Sequence, residues 1–251
     1  MKPVPAALFG PLSVRSVSVA AVLALGACAT SGNPQDPYEN FNRQMYGFND
    51  GLDRAVLEPV AKGYRAVTNE PIRGGVSNFM DNLGEPVTFA NEVLQGKVGN
   101  AAGTVGRFVL NTTIGIVGIF DPAGAMGIKR TDEDFGQTLG RWGFGTGPYL
   151  VLPFLGSTNP RDLLGKGADI AMNPINYAEF DGDDATRIGL AATGGISARE
   201  GAIETVDSVR DQIDPYTTVR RFYVRSRAAA IGNSDPVPNN TEQLPDYELD
   251  F

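Results

Sequence analysis

Between Trp142 and Gly156 the chain reads Trp-Gly-Phe-Gly-Thr-Gly-Pro-Tyr-Leu-Val-Leu-Pro-Phe-Leu-Gly, strongly apolar yet broken by four glycines and two prolines in fifteen residues. Such a run does not continue as a long helix, because proline lacks an amide donor and each glycine carries a large entropy cost in a helix. Pro148 and Pro153 would each also remove a ladder donor from a central strand, so the run fits a bent hairpin whose apolar side chains face something other than water. A protein interior or a lipid would serve equally, and the hairpin alone leaves both open.

The rest of the composition narrows the choice. At 251 residues the chain is long enough for one or two domains with a sizeable core. It has no histidine and one cysteine, which excludes histidine-based triads, His/Cys zinc sites and intramolecular disulfides. No Gly-x-Ser-x-Gly elbow is present and the carboxylates show no paired spacing, so a lipid hydrolase is disfavoured and an enzyme is not expected. A net charge of −8 argues against nucleic acid as a partner, since that binding relies on clustered Lys and Arg. There is no P-loop, so the chain is expected to be passive and not to couple to nucleotide hydrolysis.

The N-terminus points to lipid. Lys2 and Arg15 are the only charges before Cys28, and Val17 to Ala27 has the length of a signal-peptide apolar region, too short to span a bilayer. Leu25-Gly26-Ala27-Cys28 places small residues directly before the only cysteine and resembles the lipobox of bacterial lipoproteins. That resemblance implies that residues 1–27 are removed and that Cys28 becomes the first mature residue, carrying a covalent diacylglyceryl anchor and a further acyl chain such as palmitate. Several chains anchor firmly where one is marginal. Ala29 stands where an Asp would retain such a protein at the inner membrane, so the expected location is the outer membrane, lipid-anchored on its periplasmic face. Residues 28–35 read as a short tether.

From Asp36 onward the pattern is helical, in one domain expected over 36–231. Asp36-Pro37-Tyr38-Glu39 has the chemistry of a helix start, with Asp36 as cap. Phe41, Met45, Phe48, Leu52 and Val56 then recur at helical spacing, opposite Arg43, Asn49, Asp50 and Asp53. A core-facing stripe is the ordinary reading of those apolar residues. Pro59 is expected to interrupt, Gly84 to stop a helix through Ile72, Val76 and Phe79, Glu85-Pro86 to restart one, and Asn100 to cap the next. From Ile114 to Ile128 an apolar run is punctuated by glycines, which fits either close helix packing or a lipid-facing surface, and Asp121-Pro122 reads as a cap. Asp132-Glu133-Asp134 is expected to be a solvated helix start and Asp181–Asp184 a surface turn, since neither has a complete metal-ligand spacing. Ser157 to Asp162 combines cap residues with Pro160 and starts another helix that Asn173-Pro174 ends. Ser197 to Glu200 reads as a capping box, and Asp214-Pro215 opens the last helix. Residues 232–251 are polar and acidic and are expected to form a disordered tail. No strand pattern stands out, so the expected class is all-α with Gly-rich apolar loops.

Several blocks then occur together in one order: Asp36-Pro-Tyr-Glu-Asn-Phe-Asn-Arg43, Phe48-Asn-Asp50, Val60-Ala-Lys-Gly-Tyr-Arg65, Asn82-Leu-Gly-Glu-Pro86, Leu94-Gln-Gly-Lys97, Arg107-Phe108, Asn111-Thr-Thr113, Glu133 to Gly140, Gly147 to Pro153 and Arg161-Asp162. With the lipobox before them, they make the chain resemble the MlaA/VacJ family of outer-membrane lipoproteins. The resemblance implies a helical ring with an amphipathic central channel. It also implies removal of mislocalised phospholipids from the outer leaflet and retrograde transport that maintains lipid asymmetry. The implied partners are phospholipids, a trimeric outer-membrane porin and a periplasmic phospholipid carrier; the alternative is a porin-associated structural lipoprotein through which no lipid passes. On that reading Gly147, Pro148, Leu150, Leu152, Pro153 and Phe154 of the hairpin, with Phe48 and Asn49 of the first helix, are the candidate channel or gate residues.

Overall fold

The computed structural model describes residues 36–179 and 182–232; the signal segment, Cys28, the tether, Asp181 and the acidic tail lie outside the described residues. Helix α1 (Glu39–Leu52) passes through a π-helical turn (Asp53–Leu57) into α2 (Glu58–Val67), and α3 (Glu70–Leu94) and α4 (Val98–Thr113) follow. Next come α5 (Pro122–Ala125), α6 (Phe135–Arg141), strands β1 (Leu150–Leu152) and β2 (Gly156–Thr158), and α7 (Pro160–Met172). A 3₁₀ turn (Pro174–Tyr177), α8 (Asp183–Gly201), α9 (Ile203–Arg210) and α10 (Pro215–Gly232) complete the chain.

The fold is a helical ring. Helix α2 packs on α8, α8 on α3, α3 on α6 and α7, α6 on α10, α10 on β2, and β1 returns to α1. The only sheet among the described residues is the antiparallel β1–β2 hairpin, with Leu150 opposite Thr158 and Leu152 opposite Gly156. Those two short strands are the departure from an all-helical chain. Pro148 and Pro153 fall just outside the ladder, where no donor is needed.

Several helix boundaries differ from the sequence reading, each for a local reason. Pro59 does not interrupt: the Glu58 amide reaches back five residues to the Asp53 carbonyl, and this π register carries the helix past the missing proline donor. Gly84 and Pro86 do not divide α3, which runs unbroken for 25 residues. In the turn before Pro86 the helix is tied to α4, by Asn82 to Thr112 at 3.0 Å and by Arg107 to Glu85 at 3.3 Å, contacts that hold the helix together across the lost backbone bond. Asn100 and the Ser197–Glu200 box lie inside α4 and α8, and the true break falls at Ala202. Asp36 is not a cap but a fully buried acceptor for Asn42 and the Tyr216 hydroxyl. Burial, with the Asp36 carboxylate beside it, raises that phenol well above its ordinary range. The cap expected at Asp121 forms, and within the helix starts expected at 132–134 and 157–162 the capping residues are Asp134 and Asn159, each accepting an amide from the first turn.

The distribution of side chains is inverted relative to an ordinary water-soluble bundle. Seven hydrophobic residues are buried among the described residues, against 17 polar or charged ones, while Phe48, Val56, Val67, Val93, Phe120 and Leu164 belong to a long series of exposed large apolar side chains. The stripe of α1 is split: Met45 packs against the buried Tyr149, Val151 and Tyr216, Phe41 and Leu52 are half-buried, and the remaining members are exposed. Asn42 is buried, whereas Phe48 and Val56 point outward. Among the described residues no helix is long and apolar enough to cross a membrane.

Ion pairs tie the helices together along their seams, from buried to half-exposed. Arg210 of α9 bonds Asp50, Asp53 and Glu58 at 2.8, 2.7 and 2.6 Å, and Arg199 of α8 takes Asp53 with Nε and Nη2. Arg65 of α2 reaches Glu200 at 2.6 Å, and Arg43 grips Asp214 with two nitrogens while stacking 4.4 Å above the Tyr216 ring. On the opposite side Arg227 of α10 bonds both Asp134 and Asp162, joining α6 and α7. Of the acidic cluster Asp132 is solvated as expected, Glu133 is buried on Lys97, and Asp134 is paired with Arg227 while partly exposed.

Burial tends to raise the Asp162 carboxyl, and hydrogen bonds from Arg227, Tyr223 and Arg161 outweigh it and hold it below the ordinary carboxylate range. Asp134 is lowered in the same balance of burial against Arg227. A carboxyl held low stabilises the fold fully above its unfolded value, near pH 4, and that contribution is lost as the pH falls through the lowered folded value. Arg227→Met should therefore cost about 3 kcal/mol at neutral pH by leaving Asp162 short of a partner, and should move the acid-unfolding midpoint to higher pH. Circular dichroism across a pH series checks both, and an unchanged acid midpoint would contradict the pairing.

Candidate functional site

The hairpin is held by two asparagines of α1 spaced seven residues, two helical turns, so that both face the same strand. Asn42 donates to the Tyr149 carbonyl at 3.0 Å and accepts from the Val151 amide at 2.8 Å. Asn49 donates to the Leu152 carbonyl at 2.9 Å and accepts from the Phe154 amide at 2.9 Å. Each carboxamide thus mimics a neighbouring strand, pairing a carbonyl with the amide two residues on. Asn49 was legible as a candidate on the helix; Asn42 was not singled out, although the repeat of Asn at i and i+7 was there to find.

Strand alternation sorts the hairpin side chains. Tyr149 and Val151 are buried against Tyr216, with Met45, Tyr46 and Tyr223 around them, while Leu150 and Leu152 are half-buried on the other face. At the tip Phe154 has φ +65° and is 77% exposed, its ring edge-on to Phe48 at 5.6 Å between centroids. Pro153 is exposed beside it. Gly147 takes φ +71° and abuts Pro160, where an added Cβ would lie 3.1 Å from the proline Cγ, so a larger residue there is strained twice over. Pro148 is half-buried at the base of β1. Phe48, Asn49, Leu152, Pro153 and Phe154 therefore meet at one end of the hairpin, while Gly147, Pro148 and Leu150 lie toward its base.

A second feature was not assembled from the sequence. A cavity of about 570 Å³ is lined by Pro71, Ile72, Val76 and Phe79 of α3 with Ile119 and Phe120 of the loop before α5. Its helical wall was readable as an apolar face and its other wall as a glycine-punctuated run, but nothing local pairs the two. The loop packs closely through its glycines and turns apolar side chains outward. Gly115 is pressed against the Asn111 and Phe120 carbonyls, and Gly118, at φ +91°, leaves only 2.5 Å between an added Cβ and that of Asn82, so its glycines pack closely. Ile116 and Val117, at φ +53° and +57°, hold their branched side chains outward in a backbone region that costs about 1–3 kcal/mol each. Val117 to Thr112 and Gly118 to Asn111 amide bonds of 2.9 and 2.8 Å keep them there.

With this geometry in view, the comparisons with known proteins are informative. A family model described as MlaA lipoprotein matches residues 34–230. The intermembrane phospholipid transport system lipoprotein MlaA of Escherichia coli K12 is 37% identical over 220 residues, covering 84% of this chain and 86% of that protein. An uncharacterized protein of Rickettsia felis is 38% identical over 198 residues, covering 78% of each. A solved structure concerned with the maintenance of bacterial outer membrane lipid asymmetry superposes with a TM-score of 0.69 at 36% identity, covering 78% of this chain and 98% of the other. The chain belongs to the MlaA lipoprotein family.

Proposed function

We propose that this chain is an outer-membrane lipoprotein, anchored through acylated Cys28 on the periplasmic face, that removes mislocalised phospholipids from the outer leaflet. It hands them to a periplasmic carrier for retrograde transport, so that lipid asymmetry is kept. Residues 1–27 are its signal segment, 28–35 its tether and 36–231 the working domain. The observation that carries this reading is the inverted ring: apolar side chains outside, charged pairs inside, and no spanning helix among the described residues. A ring of that polarity sits with its rim in the acyl chains of one leaflet, where exposed Phe and Ile side chains cost nothing, and offers polar atoms toward its centre.

A phospholipid has a charged end and two apolar chains, and its path needs walls of both kinds. In this proposal the lipid passes through the channel of the ring, with the hairpin as its gate. Phe48 and Phe154 form the apolar tip, Leu150 and Leu152 meet acyl chains, Gly147, Pro148 and Pro153 set the bend, and Asn49 latches it to α1. A trimeric porin is the expected membrane neighbour, held against the outward apolar surface. The names of the relatives, which concern intermembrane phospholipid transport, support the same direction. Nothing in this path needs a nucleotide, so lipid flow follows the affinity of the carrier.

Leu152→Asp places a charge on the acyl path at a cost of about 3 kcal/mol, which slows passage about a hundredfold. Cells carrying only that variant should accumulate outer-leaflet phospholipid while the protein folds normally; unchanged outer-leaflet phospholipid would count against the hairpin as gate. Cys28→Ser should yield an unacylated protein by mass spectrometry, released from outer-membrane fractions. Normal acylation in that variant would overturn the anchor.

A further inference from the structure

The groove between α3 and the loop before α5 shares no residue with the hairpin. One wall is a single helical face, Ile72, Val76 and Phe79, and the other is Ile119 and Phe120, carried on the left-handed turn at Ile116 and Val117. The walls meet at Gly75, where an added Cβ would lie 3.1 Å from Ile119 Cγ2, so this glycine sets how closely the loop approaches the helix. Two branched residues in a costly backbone region persist only where the structure enforces them, and what they produce here is the second wall. The groove is open to the surface: Ile72, Ile119 and Phe120 are 52, 42 and 59% exposed. It runs on into the exposed Ile114, Ile116 and Val117, so it is a recess in the outward apolar surface.

Its walls offer an occupant nothing to hydrogen-bond. The amides of Val117, Gly118, Ile119 and Phe120 donate to carbonyls within the same loop and the end of α4, the Ile119 carbonyl accepts from Asn78 at 3.3 Å, and α3 is unbroken. A peptide strand laid here would leave its own amides and carbonyls unpaired, and water would find no partner. A hydrocarbon chain has no such groups. Size agrees: an apolar cavity of about 150 Å³ holds one benzene, so about 570 Å³ takes on the order of 20 carbon atoms, the content of one acyl chain. Left empty among acyl chains, the recess would forfeit the contacts along both walls that a chain lying in it recovers.

We infer that this groove holds one acyl chain of a phospholipid from the surrounding leaflet, at a site separate from the hairpin gate. The inference rests on the lipid setting given under the proposed function and adds a place where a lipid is held. The chain belongs to free phospholipid and not to the protein's own anchor. The groove starts beyond the far end of the α1–α2 run, about 40 Å along it from the anchored end, whereas residues 28–35 reach at most about 28 Å.

The test reconstitutes the acylated full-length chain in vesicles of phosphatidylethanolamine and phosphatidylglycerol with a trace of phosphatidylethanolamine bearing a diazirine midway along one acyl chain. After irradiation the labelled peptides are quantified by mass spectrometry. Labelling of residues 71–79 and 119–120 should exceed that of the comparably exposed α4 face at Val105 and Val109 about tenfold. Ile72→Trp, at a half-exposed position where the larger ring fills the recess, should lower groove labelling about fivefold and leave the α4 labelling as it was. Phe120→Ala removes part of one wall at an exposed position, should act in the same direction, and gives the answer if Ile72→Trp does not accumulate. Even labelling of the apolar surface, groove labelling that neither variant lowers, or a labelled α4 beside an unlabelled groove would overturn the site while leaving the lipid setting intact. Absence of acyl label from the whole chain would overturn the lipid setting as well.

Discussion

A charged side chain taken out of water must find an opposite charge within hydrogen-bond reach, and in this ring that requirement governs where the helices lie. Arg210 meets Asp50, Asp53 and Glu58 from three successive turns of one helical run, and those carboxylates are in register only because of the π turn between Asp53 and Leu57. The same turn lets the helix pass Pro59. One backbone irregularity thus sets both the continuity of the α1–α2 rod and the seam that binds it to α8 and α9. Arg227, across the molecule, binds α10 to α6 and α7 in the same manner. Removing Arg227 leaves the buried Asp162 short of a partner, whereas the part-exposed carboxylates around Arg210 keep Arg54, Arg199 and Lys62, so the two seams fix geometry at different cost.

Filling the seams with charge leaves the apolar side chains nowhere to go but outward. That is unfavourable in water and neutral in a lipid leaflet, so the inversion is the observation that supports the proposed setting. The hairpin follows from it. Its backbone is satisfied by the Asn42 and Asn49 carboxamides, which frees Phe154 to stand out at the tip beside Phe48. The two hydrogen bonds at Asn49 hold the tip end of the hairpin and lie part-buried to exposed, whereas the second pair, at the fully buried Asn42, holds its base.

Much of this was legible in the residues. Helical periodicity, the cap at Asp121, the helix starts within 132–134 and 157–162, and the bent hairpin between two prolines all follow from local chemistry. What failed was the assignment of faces. Phe41, Met45, Phe48, Leu52 and Val56 read as one core stripe, yet Met45 packs on the core while Phe48 and Val56 stand exposed, because local periodicity defines a face and not what lies against each residue. Glu85 looked like a helix restart because its true partner, Arg107, is 22 residues away and invisible to local pattern. Ser197 to Glu200 has the chemistry of a capping box, but Glu200 is taken by Arg65 and Arg73, so the helix runs on through it. The groove between α3 and the glycine-rich loop has no local signature at all, since its walls come from segments some 40 residues apart.

The central claim is that the outward apolar surface lies among acyl chains, and the single tryptophan reads it directly. Trp142 is 51% exposed, with its indole N–H bonded to the Leu94 carbonyl and its ring edge against Phe135, so it reports on its surroundings from a fixed position. The acylated chain reconstituted in vesicles whose phospholipids carry bromine along the acyl chains should show strong quenching of Trp142 fluorescence by the brominated lipid and little by aqueous iodide. Full quenching by iodide with none by brominated lipid would place this surface in water and contradict the account.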